Sequence, residues 1–195
     1  MELLEQRIIT QGRAEGKDIL KVDAFLNHQL DIRLFEAMGE EFARLFKEEK
    51  INKILTIETS GIAIAAVAAR YFDYCPVVFA KKAASLNLDK DLYISEAFSF
   101  TKKQQFKIMV SKKYINPEDR ILIIDDFMAN GKAVDALIDI VSQAGATLCG
   151  VGIAVEKAFQ QGGAALREKD IHLESLAIVD EMQEDGTIVF RKQNS

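Results

Sequence analysis

The sequence is poor in the residues that define small secreted or repetitive proteins. Of 195 residues, two are cysteine, two are proline and none is tryptophan. Cys75 and Cys149 lie far apart within apolar runs, so a disulfide framework is not expected. Proline-rich linkers, low-complexity tracts and internal repeats are also missing. One domain over residues 1–195 is the simplest organisation.

An excess of positive charge is missing as well. Lys and Arg total 25 against 30 Asp and Glu, a formal net charge of −5 at pH 7. Proteins that bind nucleic acid neutralise its phosphates with a basic surface, so nucleic acid is not an expected partner. No apolar stretch is long enough to cross a bilayer, and residues 1–5 lack the basic segment of a secretory signal. We expect no membrane association and a cytoplasmic location.

Short apolar runs alternate with helical patterns along most of the chain. Runs of the buried-strand type occupy residues 53–57, 76–80, 121–124 and 147–155. Helical periodicity occupies residues 31–50, about 61–70 and 132–143. Continuous apolar strands that alternate with helices are typical of a parallel sheet covered on both faces. The sequence therefore predicts an α/β fold, a doubly wound and mostly parallel sheet with helices on both faces.

Between residues 82 and 113 the pattern changes to polar and mixed segments. Residues 93–100 and 106–110 alternate between apolar and polar side chains, as the strands of an exposed hairpin do. We expect this region to form a flap.

We expect the ligand-binding residues in the loops after the first and third predicted strands, because ligands bind beyond the carboxyl ends of parallel strands. The third strand runs into Asp125-Asp126-Phe127-Met128-Ala129-Asn130-Gly131-Lys132-Ala133. Gly131 permits a tight turn, and N–H groups at the following helix start can hold a phosphate with help from Lys132. The two carboxylates can accept hydrogen bonds from sugar hydroxyls or lie near Mg²⁺. A phosphorylated sugar would suit both the carboxylates and the helix start. The same residues are also explained if the two acids only cap the helix and Gly131 only permits a turn.

This segment resembles the phosphoribosyl-diphosphate signature of type I phosphoribosyltransferases, in which two acids, two apolar residues and Ala-x-Gly follow a hydrophobic strand. Residues 20–29, 58–63 and 156–160 extend the resemblance to the bacterial xanthine phosphoribosyltransferases over nearly the whole chain. The resemblance implies an N-terminal hood at about residues 1–35, a flap at about 82–113 and a homodimer. It also implies purine salvage, by transfer of the 5-phosphoribosyl group to xanthine with release of diphosphate.

The resemblance also assigns site residues. It implies that the ribose hydroxyls bind to the catalytic pair Asp125 and Asp126. It implies that the 5′-phosphate binds to a segment that we name the phosphate loop, which consists of Ala129, Asn130, Gly131, Lys132 and Ala133. The diphosphate is expected against Thr59, Ser60 and Gly61, with Lys81 or Lys82 close by. The base is expected to contact Leu20, Asn27 and Lys157, with Phe127 and Phe159 as walls. Mg²⁺ is expected to enter with the phosphoribosyl diphosphate, and the sequence identifies no direct protein ligand for it.

Two departures from the family concern loop shape more than chemistry. Gln161-Gly162-Gly163 follows Gln160 where the family usually has a Pro-Gly pair, and Ile32 replaces a usual proline.

The apolar face of residues 32–46 and the Ala-rich helix after Gly61 offer surfaces that a second copy could cover.

The residues leave the identity of the base open. The Lys157 ammonium has no acceptor for the 6-amino group of adenine, which favours a 6-oxopurine. At position 2, xanthine has a carbonyl and guanine an amine, and the Asn27 amide can satisfy either by flipping. Guanine and hypoxanthine therefore remain alternatives. A regulator that binds phosphoribosyl diphosphate as a sensor is a third hypothesis, which the acidic charge and the lack of an added DNA-binding domain disfavour.

Overall fold

The computed structural model describes residues 1–82, 91–99 and 104–193. In chain order its elements are α1 (Glu2–Gln11), β1 (Arg13–Glu15), β2 (Ile19–Lys21), α2 (Ile32–Leu45), β3 (Lys53–Ile57), α3 (Ser60–Ala68), β4 (Val77–Ala80), β5 (Leu92–Ser99), β6 (Gln104–Ser111), β7 (Arg120–Met128), α4 (Lys132–Gln143), β8 (Thr147–Lys157), α5 (Gly162–Glu168), β9 (Leu173–Met182) and β10 (Ile188–Phe190). A π-helical turn, Asp23–Asn27, and two 3₁₀ turns, Ala69–Tyr71 and Lys112–Tyr114, complete them. Within these described ranges, no helix combines the length and apolar character that crossing a membrane requires.

Six strands of the described chain form the central sheet, in the order β4-β3-β7-β8-β9-β10. The first five are parallel to their neighbours, and β10 pairs with β9 in the antiparallel direction. The predicted, mostly parallel sheet is confirmed. Because parallel strands end at the same edge of a sheet, the segments that follow β3, β7 and β8 are neighbours.

Both faces of this sheet are covered by helices. Residues 121–124 of β7 are fully buried, and successive residues of a strand face opposite sides. Leu122 and Ile124 pack in one apolar cluster with α1, α2 and α3, whereas Ile121 and Ile123 pack in a second cluster with α4 and α5. The continuous apolar run of β7 therefore reflects burial on both sides, and the doubly wound α/β class is confirmed.

The inner face of α2 belongs to the core of the chain itself. Asp31 caps the helix, since its Oδ1 accepts a hydrogen bond of 3.1 Å from the N–H of Leu34. The buried residues of this face are Leu34, Phe35, Met38, Gly39 and Phe42. The expectation that the apolar face of residues 32–46 is free to meet a partner is therefore wrong. Ile32, in the first turn, is 51% exposed.

Several elements go beyond the sequence prediction. The patterns in the sequence do not predict α1, β1, β2, α5, β9 or β10, and the alternation of strands and helices continues after residues 147–155. α1 buries Leu4 and Ile8, a stripe too short to stand out as a helical pattern. β7 also continues to Met128, which places Asp125 and Asp126 within the strand and not after it.

The expected hairpin of the flap is present. β5 and β6 are antiparallel, with Leu92 opposite Ser111 at its base. Lys81, just after β4, joins this hairpin through two backbone hydrogen bonds with Met109, of 3.0 and 2.9 Å. Ile108 is buried in the same cluster as α4. Residues 83–90 and 100–103 of the expected flap lie outside the described residues.

Candidate active site

The loops after β3 and β7 meet because these strands are paired neighbours. Gly61, in the first turn of α3, lies directly against β7. A Cβ at this position would overlap Thr56 Oγ1 and lie 2.8 Å from Asp125 Oδ1. A glycine is therefore required for α3 to begin this close to β7. Its position brings the expected diphosphate residues beside the expected catalytic pair.

Asp125 and Asp126 have different environments, because adjacent strand residues face opposite sides. Asp125 is 5% exposed, and its Oδ1 accepts a hydrogen bond of 3.0 Å from the N–H of Asp126. Burial, followed by the nearby charge of Asp126, raises the pKa of Asp125 well above its usual range, although Lys82 opposes the shift. Asp126 is half-buried, and its Oδ1 accepts from the N–H of Phe127 at 3.0 Å. Asp126 is thus the more accessible carboxylate.

The phosphate loop forms one continuous turn into α4. Gly131 has a φ of 79°, in the left-handed region that glycine tolerates, and it precedes the first residue of the helix. The N–H of Lys132 donates to Asn130 Oδ1 at 3.2 Å, and the Gly131 carbonyl accepts from Asp135 at 2.8 Å. Gly131 is buried, Ala129, Asn130 and Ala133 are half-buried, and Lys132 is exposed. Peptide N–H groups and the positive end of a 12-residue helix converge here, which favours an anion.

The segment after β3 is connected to the end of β4. The peptide bond between Glu58 and Thr59 is cis. The Glu58 N–H donates to the Ala80 carbonyl at 3.0 Å, and Glu58 Oε1 accepts from the N–H of Lys82 at 2.5 Å. Thr59 is exposed and Ser60 half-buried at the start of α3. Lys81 and Lys82 are therefore brought to the side of the site where the sequence predicts the diphosphate.

Lys157, the last residue of β8, contacts the expected hood. Its Nζ donates to the Asp18 carbonyl at 2.7 Å and lies 5.5 Å from the centre of the Phe127 ring. Burial lowers the pKa of Lys157, and the charge of Asp18 partly opposes this shift. Leu20, in β2, is 7% exposed. A half-buried ammonium, an aromatic face and the β1-β2 hairpin thus come together beyond the end of β8.

Two expected base contacts are more open to solvent. Asn27 ends the π-helical turn Asp23–Asn27, and its side chain is exposed. Phe159, two residues after β8, is 37% exposed. Phe127 is half-buried against Lys157. The described structure thus brings Lys157, Phe127 and the hairpin of Leu20 into contact, and it leaves Asn27 and Phe159 at the surface.

Sequence reasoning did not single out two residues that connect the parts of the site. Glu58 fixes the position of Lys82, and Asp18 contacts Lys157. Asp18 accepts this hydrogen bond with its backbone carbonyl, and the identity of its side chain therefore does not predict the contact. Glu58 directly follows a predicted strand, and that position is the signal that could have identified it.

The donor atoms of the site fit a magnesium ion that is held mainly by a substrate. Within residues 1–82, 91–99 and 104–193, no group of three or more His, Cys, Asp or Glu side chains is arranged to hold a metal. Mg²⁺ in phosphate-handling sites keeps several waters and takes one or two carboxylates together with phosphate oxygens. The accessible carboxylate of Asp126 is suited to such a contribution.

Comparisons with known proteins point to one family. The family described as "Phosphoribosyl transferase domain" matches residues 22–182. The xanthine phosphoribosyltransferase of Ruminiclostridium cellulolyticum is 60% identical over 190 residues, which cover 97% of this chain and 99% of that protein. The xanthine phosphoribosyltransferase of Clostridioides difficile is 53% identical over 191 residues, which cover 98% of this chain and 100% of that protein.

Solved structures support the fold. The adenine phosphoribosyltransferase of Rhodothermus marinus has a TM-score of 0.73 at 21% identity, and the alignment covers 92% of this chain and 100% of that chain. The adenine phosphoribosyltransferase of Saccharomyces cerevisiae has a TM-score of 0.73 at 20% identity, with coverage of 90% and 99%. At such identities the likeness concerns the fold alone.

Proposed function

The chain belongs to the phosphoribosyl transferase family, and on that premise we propose that it is a purine salvage enzyme that transfers the 5-phosphoribosyl group of phosphoribosyl diphosphate to xanthine. The products are xanthosine 5′-monophosphate and diphosphate. The observation that carries the proposal is identity of 53% to 60% with named xanthine phosphoribosyltransferases over nearly the full length of the chain.

The reaction is displacement of diphosphate from C1 of the sugar by a purine nitrogen, through a transition state with oxocarbenium character. It requires no protein nucleophile, so catalysis rests on positioning and electrostatics. The phosphate loop holds the 5′-phosphate with backbone N–H groups, and Lys132 adds a positive charge. Asp126 accepts hydrogen bonds from the ribose hydroxyls and stabilises positive charge on the sugar. Asp125 packs against Gly61 and so helps to hold the start of α3 against this end of β7.

The leaving group is bound on the other side of the sugar. Thr59, Ser60 and Gly61 lie at the start of α3, where the first N–H groups of a helix have no intrahelical partner and can donate to the diphosphate. Lys81 and Lys82, just after β4, add positive charge on this side. A Mg²⁺ ion bound with the substrate would neutralise charge on the diphosphate. Asp126 is the carboxylate that would contribute to holding it. The flap excludes water from the reacting carbon.

Lys157 is the main determinant of the base in this proposal. An ammonium has three donors and no acceptor, and Lys157 uses one donor on the Asp18 carbonyl. The remaining donors suit the carbonyl oxygens of xanthine and do not suit the amine of adenine. Leu20 and Phe127 hold the ring plane, and the exposed amide of Asn27 is free to turn towards a carbonyl at position 2.

A base-competition assay tests the function. Purified enzyme, Mg²⁺ and phosphoribosyl diphosphate are supplied with xanthine, guanine, hypoxanthine or adenine, and kcat/KM is compared. We expect xanthine to exceed each other base by about tenfold or more, as a difference in hydrogen-bonding groups produces. If guanine or hypoxanthine is preferred, the base assignment fails while the transferase stands. If no base reacts although phosphoribosyl diphosphate binds, the sensor hypothesis is favoured.

We further propose that the enzyme is a cytoplasmic homodimer. Tyr74 and Ile32 are 74% and 51% exposed, and Phe79 in the edge strand β4 is 39% exposed, so the chain leaves large apolar side chains at its surface for a partner to cover. Cys75 and Cys149 are buried and free, which suits a reducing compartment. Light scattering on a sizing column should give about twice the chain mass of 21.8 kDa, and a monomeric mass would contradict the dimer.

A further inference from the structure

A buried carboxylate with no role in the mechanism above lies directly before Lys157. Glu156 is 1% exposed. Nη1 and Nη2 of Arg167 donate to its two oxygens at 2.7 and 2.8 Å, and Ser175 Oγ donates to Oε2 at 2.5 Å. Although burial opposes ionisation, the hydrogen bonds from Arg167 and Ser175 lower the pKa of Glu156. We name these three side chains the Glu156 cluster.

The Glu156 cluster joins three elements on one face of the sheet. Glu156 lies in β8, Arg167 in α5 and Ser175 in β9. Since successive residues of a strand face opposite sides, Glu156 faces α5 while Lys157 faces the hood. At Gly163 a Cβ would overlap Glu156 Oε1 and lie 2.6 Å from its Cδ. The backbone of α5 is therefore in direct contact with the carboxylate.

The start of α5 also contacts the phosphate loop. The Gly162 N–H donates to the Ala129 carbonyl at 3.1 Å. A Cβ at Gly162 would lie 2.5 Å from both the Ala129 oxygen and the Gly131 nitrogen. Two consecutive glycines thus place the backbone of α5 between the loop on one side and Glu156 on the other. A shift of α5 must move the loop, because no side chain separates them.

We propose that Glu156 and Arg167 are positioning residues for the 5′-phosphate, which act by fixing α5 and, through Gly162, the phosphate loop. This rests on the proposed function, which assigns the 5′-phosphate to that loop. The base is held differently. Lys157 is aligned by its strand pairing with Val179 and by the hydrogen bond to Asp18. The Glu156 cluster therefore controls binding of the sugar phosphate more strongly than binding of the purine or the diphosphate.

The test measures binding of two separate probes, ribose 5-phosphate and inorganic diphosphate, by calorimetry, together with the KM for each substrate. Arg167→Lys keeps the charge and loses the two-pronged contact. A displaced loop should raise the Kd of ribose 5-phosphate and the KM of phosphoribosyl diphosphate about tenfold. The Kd of diphosphate and the KM of xanthine should stay within about twofold, because neither depends on the phosphate loop.

The matched control is Arg44→Lys. Arg44 makes a similar two-pronged contact with Glu41, at 2.9 and 2.8 Å, but on the exposed side of α2. It should change none of the four constants. Ser175→Ala removes one hydrogen bond from Glu156. It should also weaken ribose 5-phosphate binding more than diphosphate binding, but by a smaller factor, so the test does not depend on one variant folding well.

The proposal is overturned if Arg167→Lys and Ser175→Ala leave ribose 5-phosphate binding unchanged, or weaken both probes equally, as general loosening would. Ribose 5-phosphate needs no base and no turnover, so the measurement is independent of which purine reacts. A wild-type protein that does not bind ribose 5-phosphate would instead overturn the loop assignment of the proposed function, and the positioning role with it.

Discussion

Gly163→Ala places a methyl group where the structure has space only for hydrogen. The new Cβ would overlap Glu156 Oε1 and lie 2.6 Å from Glu156 Cδ and 2.8 Å from Arg167 Nη1. Ordinary contact begins at 3.4 Å, so the carboxyl group must move by about 0.8 Å or more. Such a shift lengthens or breaks the hydrogen bonds from Arg167 and Ser175, which are now 2.5 to 2.8 Å long.

Two effects oppose each other in this variant. Alanine is favoured over glycine inside a helix by about 1 kcal/mol. Breaking a buried ion pair costs about 3–5 kcal/mol. Arg167 is 38% exposed and regains water when released, which favours the lower end of that range. We therefore expect a net destabilisation of about 2 kcal/mol, or a fall in Tm of roughly 4–8 °C for a chain of this size.

Calorimetric unfolding of four proteins tests this reasoning: wild type, Gly163→Ala, Glu156→Ala and the double variant. Removing the Glu156 carboxyl group provides the missing space, so Gly163→Ala should become neutral or slightly stabilising in the Glu156→Ala background. Ala164→Gly, at an exposed position of α5, is the control and should cost about 1 kcal/mol. Equal destabilisation in both backgrounds, or a Gly163→Ala protein as stable as wild type, would refute the argument.

The other predictions concern charge at the site. Asp126→Asn should lower kcat by about a hundredfold with an unchanged Tm, measured by steady-state kinetics and calorimetry. Asp125→Asn should be more stable than wild type at neutral pH. The pKa of Asp125 is raised in the folded state, so the wild-type protein loses stability as the pH rises through that folded-state pKa. The difference in Tm between variant and wild type should therefore close as the pH falls towards 3.8. For Glu156 the folded pKa is lowered, so its stabilisation is lost as pH falls below 4.5, and the Tm advantage of wild type over Glu156→Gln should shrink there. Lys157→Gln should raise the KM for xanthine about tenfold to a hundredfold and leave that for phosphoribosyl diphosphate within about twofold.

The sequence predicts β3, β7 and β8 because burial on both faces leaves an unbroken apolar run. β4 is also predicted from an apolar run, although it is an edge strand and its Phe79 is 39% exposed. β9 breaks this rule, since Glu174, Ser175 and Asp180 interrupt or border its apolar centre. Ser175 is nevertheless 4% exposed. Its hydroxyl is satisfied by Glu156, 19 residues away, and such a distant partner leaves no local pattern.

The turn from β7 into α4 at residues 129–133 was predictable because its residues are contiguous and follow a buried strand. Its binding of the 5′-phosphate stays a prediction. The difference between Asp125 and Asp126 was not predictable, since it depends on β7 continuing to Met128, so that the two carboxylates face opposite sides. The role of α5 was also hidden, because it arises from contacts of two glycine backbones with residues distant in the chain.

The central sheet divides the molecule into two cores that are packed separately. Leu20 and Phe127, near the expected base, belong to the core of α1–α3, whereas Ile108 of the flap and Val134 of α4 belong to the other. Substitutions near the expected base can therefore accumulate in one core without disturbing the packing of α4, which follows the expected 5′-phosphate loop and belongs to the other core. If the proposed site is right, a division of this kind allows the base contacts to change while the loop expected to hold the 5′-phosphate keeps its packing. It also predicts that changes on opposite faces of the sheet will combine additively.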